Sequence, residues 1–177
     1  MKKERKLTSK QVYKGKILDL YVDQVLTPDG VETTREVIRH CAAAAILAKD
    51  KEGRFLFEKQ YRYPFDDIVL EVPAGKADPG EDPLECAKRE FEEETGLKAK
   101  KWTFLGEFYP SVAYTDEVIS LFYAEDLYEG KRHLDADENL DVFTLGFEEM
   151  KEKMRQGEFK DGKTLAAIGY YLLSLMK

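Results

Sequence analysis

The chain has 177 residues, 43% of them hydrophobic, and a formal net charge of −7. That is apolar material for one domain, or one domain with an appendage, and the acidic balance excludes nonspecific nucleic-acid binding, which needs a basic face. No apolar run reaches the ~18 residues of a membrane helix, and the charged start MKKERK is not followed by a signal-type apolar segment, so a cytoplasmic protein is expected. Cys41 and Cys86 lack CxxC or Cys/His spacing, which argues against a zinc site or disulfide framework, and His40 and His133 are read as structural.

Residues 1–10 are charged and read as a frayed terminus. From Val12 to Arg39 the β-branched and aromatic runs VYKGKILDLYVDQVL and VETTREVIRH, split by the turn signal Pro28-Asp29-Gly30, predict two or three strands. So small a sheet makes a poor core by itself and has to pack on its own domain or on a second copy of the chain. CAAAAILAK and RFLFEKQYRY, joined by the turn at Asp50–Gly53, predict a hairpin whose first strand is covered on both faces; a helix is the alternative for the alanine run. Pro64 ends the second strand, and DIVLEVPAG is a short strand leading into Gly75.

The stretch GKADPGEDPLECAKREFEEETGL predicts a loop feeding a short helix. Asp82 suits the N-cap, Pro83 the first turn, and Glu85 can reach back as in a capping box. Gly96 is the stop, and Leu84, Ala87 and Phe91 mark the buried stripe. Beyond it, 98–111 and Glu117–Leu127 read as strands joined by the loop Ser111–Asp116. A charged loop, Tyr128–Asn139, precedes a last strand at Leu140–Leu145. Helices are predicted over Phe147–Gln156 and Lys163–Met176, the latter with Leu165, Ile168, Leu172 and Leu175 on one face. The only domain boundary falls near Arg39, dividing 1–39 from 40–177.

Glu90, Glu93 and Glu94 crowd one region of the central helix, and like charges one turn apart destabilise a helix by about 0.2–0.5 kcal/mol per pair. A hard divalent cation such as Mg²⁺, bound by carboxylates together with substrate phosphates, would neutralise them. A solvated acidic face is the plain alternative, but Gly75, Glu81 and Arg89 at fixed offsets turn the reading toward a site.

This segment resembles the Nudix box, whose pattern is Gly, five residues, Glu, seven residues, Arg-Glu, an apolar residue, any residue, Glu-Glu, any residue, Gly, apolar. Every fixed position is matched, by Gly75, Glu81, Arg89, Glu90, Phe91, Glu93, Glu94, Gly96 and Leu97. The resemblance implies an α/β fold, a Nudix-type α/β/α sandwich with an added N-terminal antiparallel sheet. It implies divalent-metal-dependent hydrolysis of a nucleoside diphosphate linked to another moiety, with Mg²⁺ or Mn²⁺ as cofactor. By the same resemblance Glu90, Glu94 and the Ala74 carbonyl hold the metal, Glu93 is a ligand or base, and Glu81 pairs with Arg89 to fix the loop beside Gly75.

Outside the box the chain resembles ADP-ribose pyrophosphatases in its N-terminal strands, in EKQYRY followed by LEVPAGK, and in the acidic loop DADEN. That likeness implies a homodimer with a swapped N-terminal sheet and a small nucleoside diphosphate sugar as substrate. It implies Arg62 on the phosphates, Arg35 with Glu36 on the adenine from the partner subunit, Glu71 near the terminal ribose or the metals, and Glu138 as catalytic base ahead of Glu93. The plain readings are a surface ion pair for Arg62 and a solvated strand for Arg35 and Glu36. One departure is Ser111-Val112-Ala113 where that group often has Ser-Pro-Gly. The alternatives are a MutT-like nucleoside triphosphate pyrophosphohydrolase and a non-catalytic ADP-ribose-binding Nudix domain.

Overall fold

The computed structural model describes residues 2–134 and 138–176. By its internal contacts the chain divides into two compact units, residues 1–41 with 109–118, and residues 42–108 with 119–177.

The first unit is an antiparallel three-stranded sheet of β1 (Arg5–Lys14), β2 (Asp19–Leu26) and β3 (Glu32–Arg39). Gly30, at φ 84°, closes the turn at Pro28–Gly30 by donating its N–H to the Thr27 carbonyl at 3.0 Å. Residues 5–10, expected to fray, are part of β1. Lys6 pairs with Val25 and Lys10 with Val22, and the Ser9 hydroxyl donates to the buried carboxylate of Asp23. Charged side chains on an exposed face are no obstacle to a strand once a neighbour completes the ladder. Segment 109–118 joins this unit: Ile38 N–H donates to Tyr114 O at 2.7 Å, and Arg39 pairs with Asp116 at 3.0 Å.

The second unit is built on a mixed sheet. Its elements are β4 (Ala43–Lys49), β5 (Phe55–Arg62), β6 (Asp67–Glu71), β7 (Ala74–Lys76), α1 (Pro83–Thr95), β8 (Leu97–Phe108), β9 (Ile119–Glu129), β10 (Leu140–Leu145), α2 (Phe147–Arg155) and α3 (Gly162–Ser174). The strand order is β10-β5-β4-β9-β8, with β4 and β9 parallel. The hairpin partners β4 and β5 pair only at Ala48↔Leu56 and Lys49↔Phe55 before they splay. Into the gap come β6, paired to β5 from Glu58 to Arg62, and β7, paired to β4 from Ala43 to Ala45. This split in the sheet sets Glu71 opposite Glu58 of β5 and Ala74 opposite Ala45 of β4.

The alanine-rich run is a strand, and its alternation explains why both faces must be apolar. Ala43, Ala45 and Leu47 pack with Phe57, Leu121, Met150 of α2 and Ile168 of α3. Ala44, Ile46 and Ala48 pack with Leu56, Phe122 and the Cys86, Ala87 and Phe91 of α1. One helix on one face and two on the other make the α/β/α sandwich. Phe91, fully buried and edge-on to Trp102 at 6.0 Å, anchors α1; its loss to alanine would cost about 3–5 kcal/mol. On α3 Thr164, Ala167, Ile168 and Tyr171 are buried, and Leu165 and Leu172 of the expected stripe pack partly buried against the same core, while Leu175 lies at the helix end and is exposed. Among the described residues no helix is long and apolar enough to cross a membrane.

Candidate active site

The loop-to-helix junction forms for local reasons. Asp82 accepts from the amides of Leu84 at 2.9 Å and Glu85 at 3.4 Å, Pro83 opens the helix, and Gly96 ends it at φ 73°. The return arm of the expected capping box is not made by Glu85, whose carboxylate takes Lys88 at 2.7 Å instead. Gly75 is required by a close approach: a Cβ there would stand 1.9 Å from the Glu90 Cδ. The absence of that one carbon lets a carboxylate of α1 lie against β7.

Arg89 is the organiser of one side of α1. Its Nε and Nη2 grip both oxygens of Glu81 at 3.0 and 2.9 Å, and Nη2 also donates to Lys76 O at 2.9 Å. Such fork-to-fork pairs are the strongest and most directional of charged hydrogen bonds. Together with the Asp78 amide, Arg89 drives the Glu81 carboxyl down to about 2. The expected Glu81–Arg89 pairing is present, and Arg89 does more: its Nη1 reaches Glu90 at 2.8 Å and Glu93 at 3.1 Å.

The other side of α1 is acidic and buried. Glu94 is 3% exposed and accepts one backbone donor, the Ala74 amide, at 3.0 Å. Burial, then the charges of Glu58, Glu90 and Glu138, push its carboxyl up to about 10. Glu58 of β5, 2% exposed, is pushed up to about 8, first by burial and then by Glu71, which stands directly across the ladder from it. Burial likewise raises Glu90 against the pull of Arg89. Burial works upward on Glu71 as well, but Arg62, bound to both its oxygens at 2.6 and 2.7 Å, and Lys163 overturn it and hold that carboxyl below its usual range.

Arg62, Phe65, Glu71, Lys160 and Lys163 line a cleft of about 490 Å³. Lys163 is placed by the start of α3. Asp161 caps the helix through the Thr164 amide at 3.0 Å, and the buried Thr164 hydroxyl accepts the Val72 amide at 2.9 Å, tying α3 to the β6–β7 link. Arg132, beyond β9, donates to Glu94 O at 2.7 Å and Leu140 O at 2.9 Å, linking the end of α1 to the start of β10.

The structure thus brings Ala74, Gly75, Glu81, Arg89, Glu90, Glu93 and Glu94 together, with Arg62 and Glu71 bonded to each other on the cleft. Glu138 follows the part of the DADEN loop, residues 135–137, that lies outside the described residues, and its charge reaches Glu58, Glu90 and Glu94. Arg35 and Glu36 are both exposed, on opposite faces of β3, and Arg35 pairs with Glu4 at 2.6 Å. Sequence reasoning missed Glu58, Lys163, Arg132 and Thr164. For Glu58 a signal existed: it follows Leu56 by two in β5, so it shares the face that Leu56 presents to α1, where a charge is out of place.

The NUDIX domain profile matches residues 39–167, and the chain belongs to the Nudix family of hydrolases. A second profile, the nucleoside diphosphate sugar hydrolase N-terminal domain, matches residues 4–38. The chain is 41% identical to the ADP-ribose pyrophosphatase of Bacillus subtilis (strain 168), over 96% of this chain and 93% of that one. It is 36% identical to the methanol dehydrogenase activator of Bacillus methanolicus, again over 96% and 93%. In fold it is similar to a crystal structure of an ADP compounds hydrolase, with a TM-score of 0.90 at 22% identity, covering 99% of this chain and 96% of the other.

Nudix hydrolases in general need a divalent metal, and the donor set here suits one. Among the described residues no three Asp, Glu, His or Cys side chains form a ready-made ion cage, and Arg89 holds Glu90 and Glu93. The fit lies elsewhere. Glu94 and Glu58 are buried carboxyls that hinder each other's ionisation, Glu58 Oε1 is buried with no hydrogen-bond partner, and the missing Cβ of Gly75 leaves room for the Glu90 carboxylate. Oxygen-only donors of this kind match Mg²⁺ or Mn²⁺ rather than a thiophilic ion.

Proposed function

We propose that the protein hydrolyses the pyrophosphate bond of ADP-ribose or a related ADP-sugar, giving AMP and a sugar phosphate. The observation that carries this reading is the buried carboxylate group around Glu94 beside a cleft that presents Arg62 and Lys163. The likeness to an ADP-ribose pyrophosphatase over nearly the whole chain supports the substrate class.

On this reading Glu90, Glu94, the Ala74 carbonyl and Glu93 hold Mg²⁺ or Mn²⁺, which when bound neutralises diphosphate charge and acidifies water. Arg62, released in part from Glu71, takes phosphate oxygens, and Glu71 faces the terminal ribose. Arg89 and Glu81 keep the loop and helix in register. Glu138 takes the proton from the water that attacks phosphorus, a contribution typically of ~10²–10⁴ in rate, with Glu93 as the second choice. The bridging oxygen then leaves with one of the two phosphate monoesters.

The unit at the N-terminus, residues 1–39, is assigned to a swapped homodimer in the cytoplasm, in which Arg35 and Glu36 meet the adenine of the opposite copy. Light scattering tests this assignment: a monomer at micromolar concentration contradicts it.

Product analysis tests the activity. With Mg²⁺ and a panel of ADP-ribose, other ADP-sugars, GDP-mannose, NADH and nucleoside triphosphates, AMP plus ribose 5-phosphate is expected. A nucleoside monophosphate plus pyrophosphate from a triphosphate would support the MutT-like reading instead. Tight ADP-ribose binding without turnover across Mg²⁺, Mn²⁺ and Zn²⁺ would mark a binding domain.

A further inference from the structure

We propose that Glu58 is a cation-holding carboxylate of this site, acting with Glu94 and Glu90 from the face of β5 that is turned to α1. The inference rests on the reading of α1 as a divalent-metal site and adds to it a residue outside the box.

Three observations carry it. First, position: Glu58 stands on the face of β5 that Leu56 presents to α1, so its carboxylate is directed to the helix that bears Glu90 and Glu94. Second, its ladder partner is another acid, Glu71, and like charges directly opposite on adjacent strands are unfavourable. Third, Glu58 is 2% exposed and its Oε1 has no hydrogen-bond partner.

The neighbouring cations are committed elsewhere. Arg62 is bound to Glu71, Lys163 to Glu71 and Asp161, and Arg132 to the carbonyls of Glu94 and Leu140. A purely structural glutamate at this depth would be expected to own one of these donors, because a buried polar atom left unpaired is costly. Glu71 owns two of them, Arg62 and Lys163, and Glu58 owns none. An oxygen-seeking divalent ion satisfies the orphaned atom and lets Glu58 and Glu94 stand near each other as carboxylates. It also gives the split between β4 and β5 a purpose, since β6 sets Glu71 beside Glu58 only because the hairpin opens.

The test is Mn²⁺ binding without nucleotide, read from the free aquo-ion signal in electron paramagnetic resonance, with the Mn²⁺-induced rise in Tm as a second readout. Wild type, Glu58→Gln, Glu58→Met and Glu94→Gln are compared. Loss of a group that only supports a ligand costs about 10–100-fold in metal affinity, so both Glu58 variants are expected to bind Mn²⁺ at least about 10-fold more weakly and to lose most of the Tm rise. Glu58→Met covers the case in which the buried amide of the glutamine variant prevents folding. Unchanged Mn²⁺ affinity at Glu58→Met or Glu58→Gln, with Glu94→Gln weakened, overturns this inference and leaves the metal site standing. Unchanged affinity at Glu94→Gln overturns the metal-site reading itself, and this inference with it.

Discussion

The two sides of α1 treat the same functional group in opposite ways. Around Arg89 the Glu81 carboxylate is gripped at both oxygens and driven down to about 2. Around Ala74, by burial and crowding, the carboxyls of Glu94 and Glu58 are pushed up to about 10 and about 8. One side is a finished structural joint, with charge matched inside the protein. The other is an unfinished electrostatic balance, completed by something from outside. Acidic residues on a helix are therefore not one class: what separates a clamp from a site is whether the chain supplies the counter-charge.

The largest effect is expected at the unfinished side. Glu94→Gln should lower kcat/KM by about 10²-fold or more at saturating Mg²⁺, at or beyond the range for groups that merely support a metal ligand. Glu81→Gln should act mainly on folding, with a smaller kinetic loss. Equal kinetic losses would erase the distinction between the two sides.

Gly75→Ala comes next. Its Cβ has to displace the Glu90 carboxylate from 1.9 Å, so activity should fall steeply, while overpacking costs about 1–3 kcal/mol in urea unfolding. Full activity in that variant would show that Glu90 has no need of its place against β7.

The stability of the metal-free protein should depend on pH in a direction the acidic side dictates. The unfolded chain releases its glutamate protons near pH 4.3, whereas folded Glu58 and Glu94 keep theirs to about 8 and about 10. Above the unfolded value the folded state binds more protons, so the contribution is complete at low pH and is lost as pH rises through the folded values. Thermal melts in EDTA should therefore drop from about pH 5 to 9, by about 2–4 °C for each kcal/mol lost, and Mg²⁺ should flatten the slope. A flat EDTA profile would contradict the shifted carboxyls.

Thr164→Val should cost about 1–3 kcal/mol by stranding the Val72 amide and loosening the Asp161 cap that places Lys163. Arg35→Ala should be the smallest, about 0–1 kcal/mol for its exposed pair with Glu4. A rise in KM for ADP-ribose in that variant, with stability unchanged, would support its assigned place at the adenine.

Much of this was legible in the sequence where the causes are local. Asp82, Pro83 and Gly96 delimit α1, the turns at 28–30 and 50–53 separate strands, and the spacing from Gly75 to Leu97 marks the site, because caps, turns and helical offsets act within a few residues. The misreadings have distant causes. The charged start became β1 because β2 completes its ladder. Leu175, apolar but at the end of α3, stays exposed where the helix runs past the core. Glu58 drew no reading from the sequence, being one charge within RFLFEKQYRY. Its meaning comes from Glu71, Glu94 and Lys163, which the split sheet and α3 bring to it from 13, 36 and 105 residues away.

The most direct measurement is anomalous diffraction from crystals soaked in Mn²⁺ with a non-hydrolysable ADP-ribose analogue. The account predicts manganese peaks bounded by Glu90, Glu94 and the Ala74 carbonyl, with the diphosphate between them and Arg62. Peaks elsewhere on the molecule, or a diphosphate bound away from α1, would contradict it.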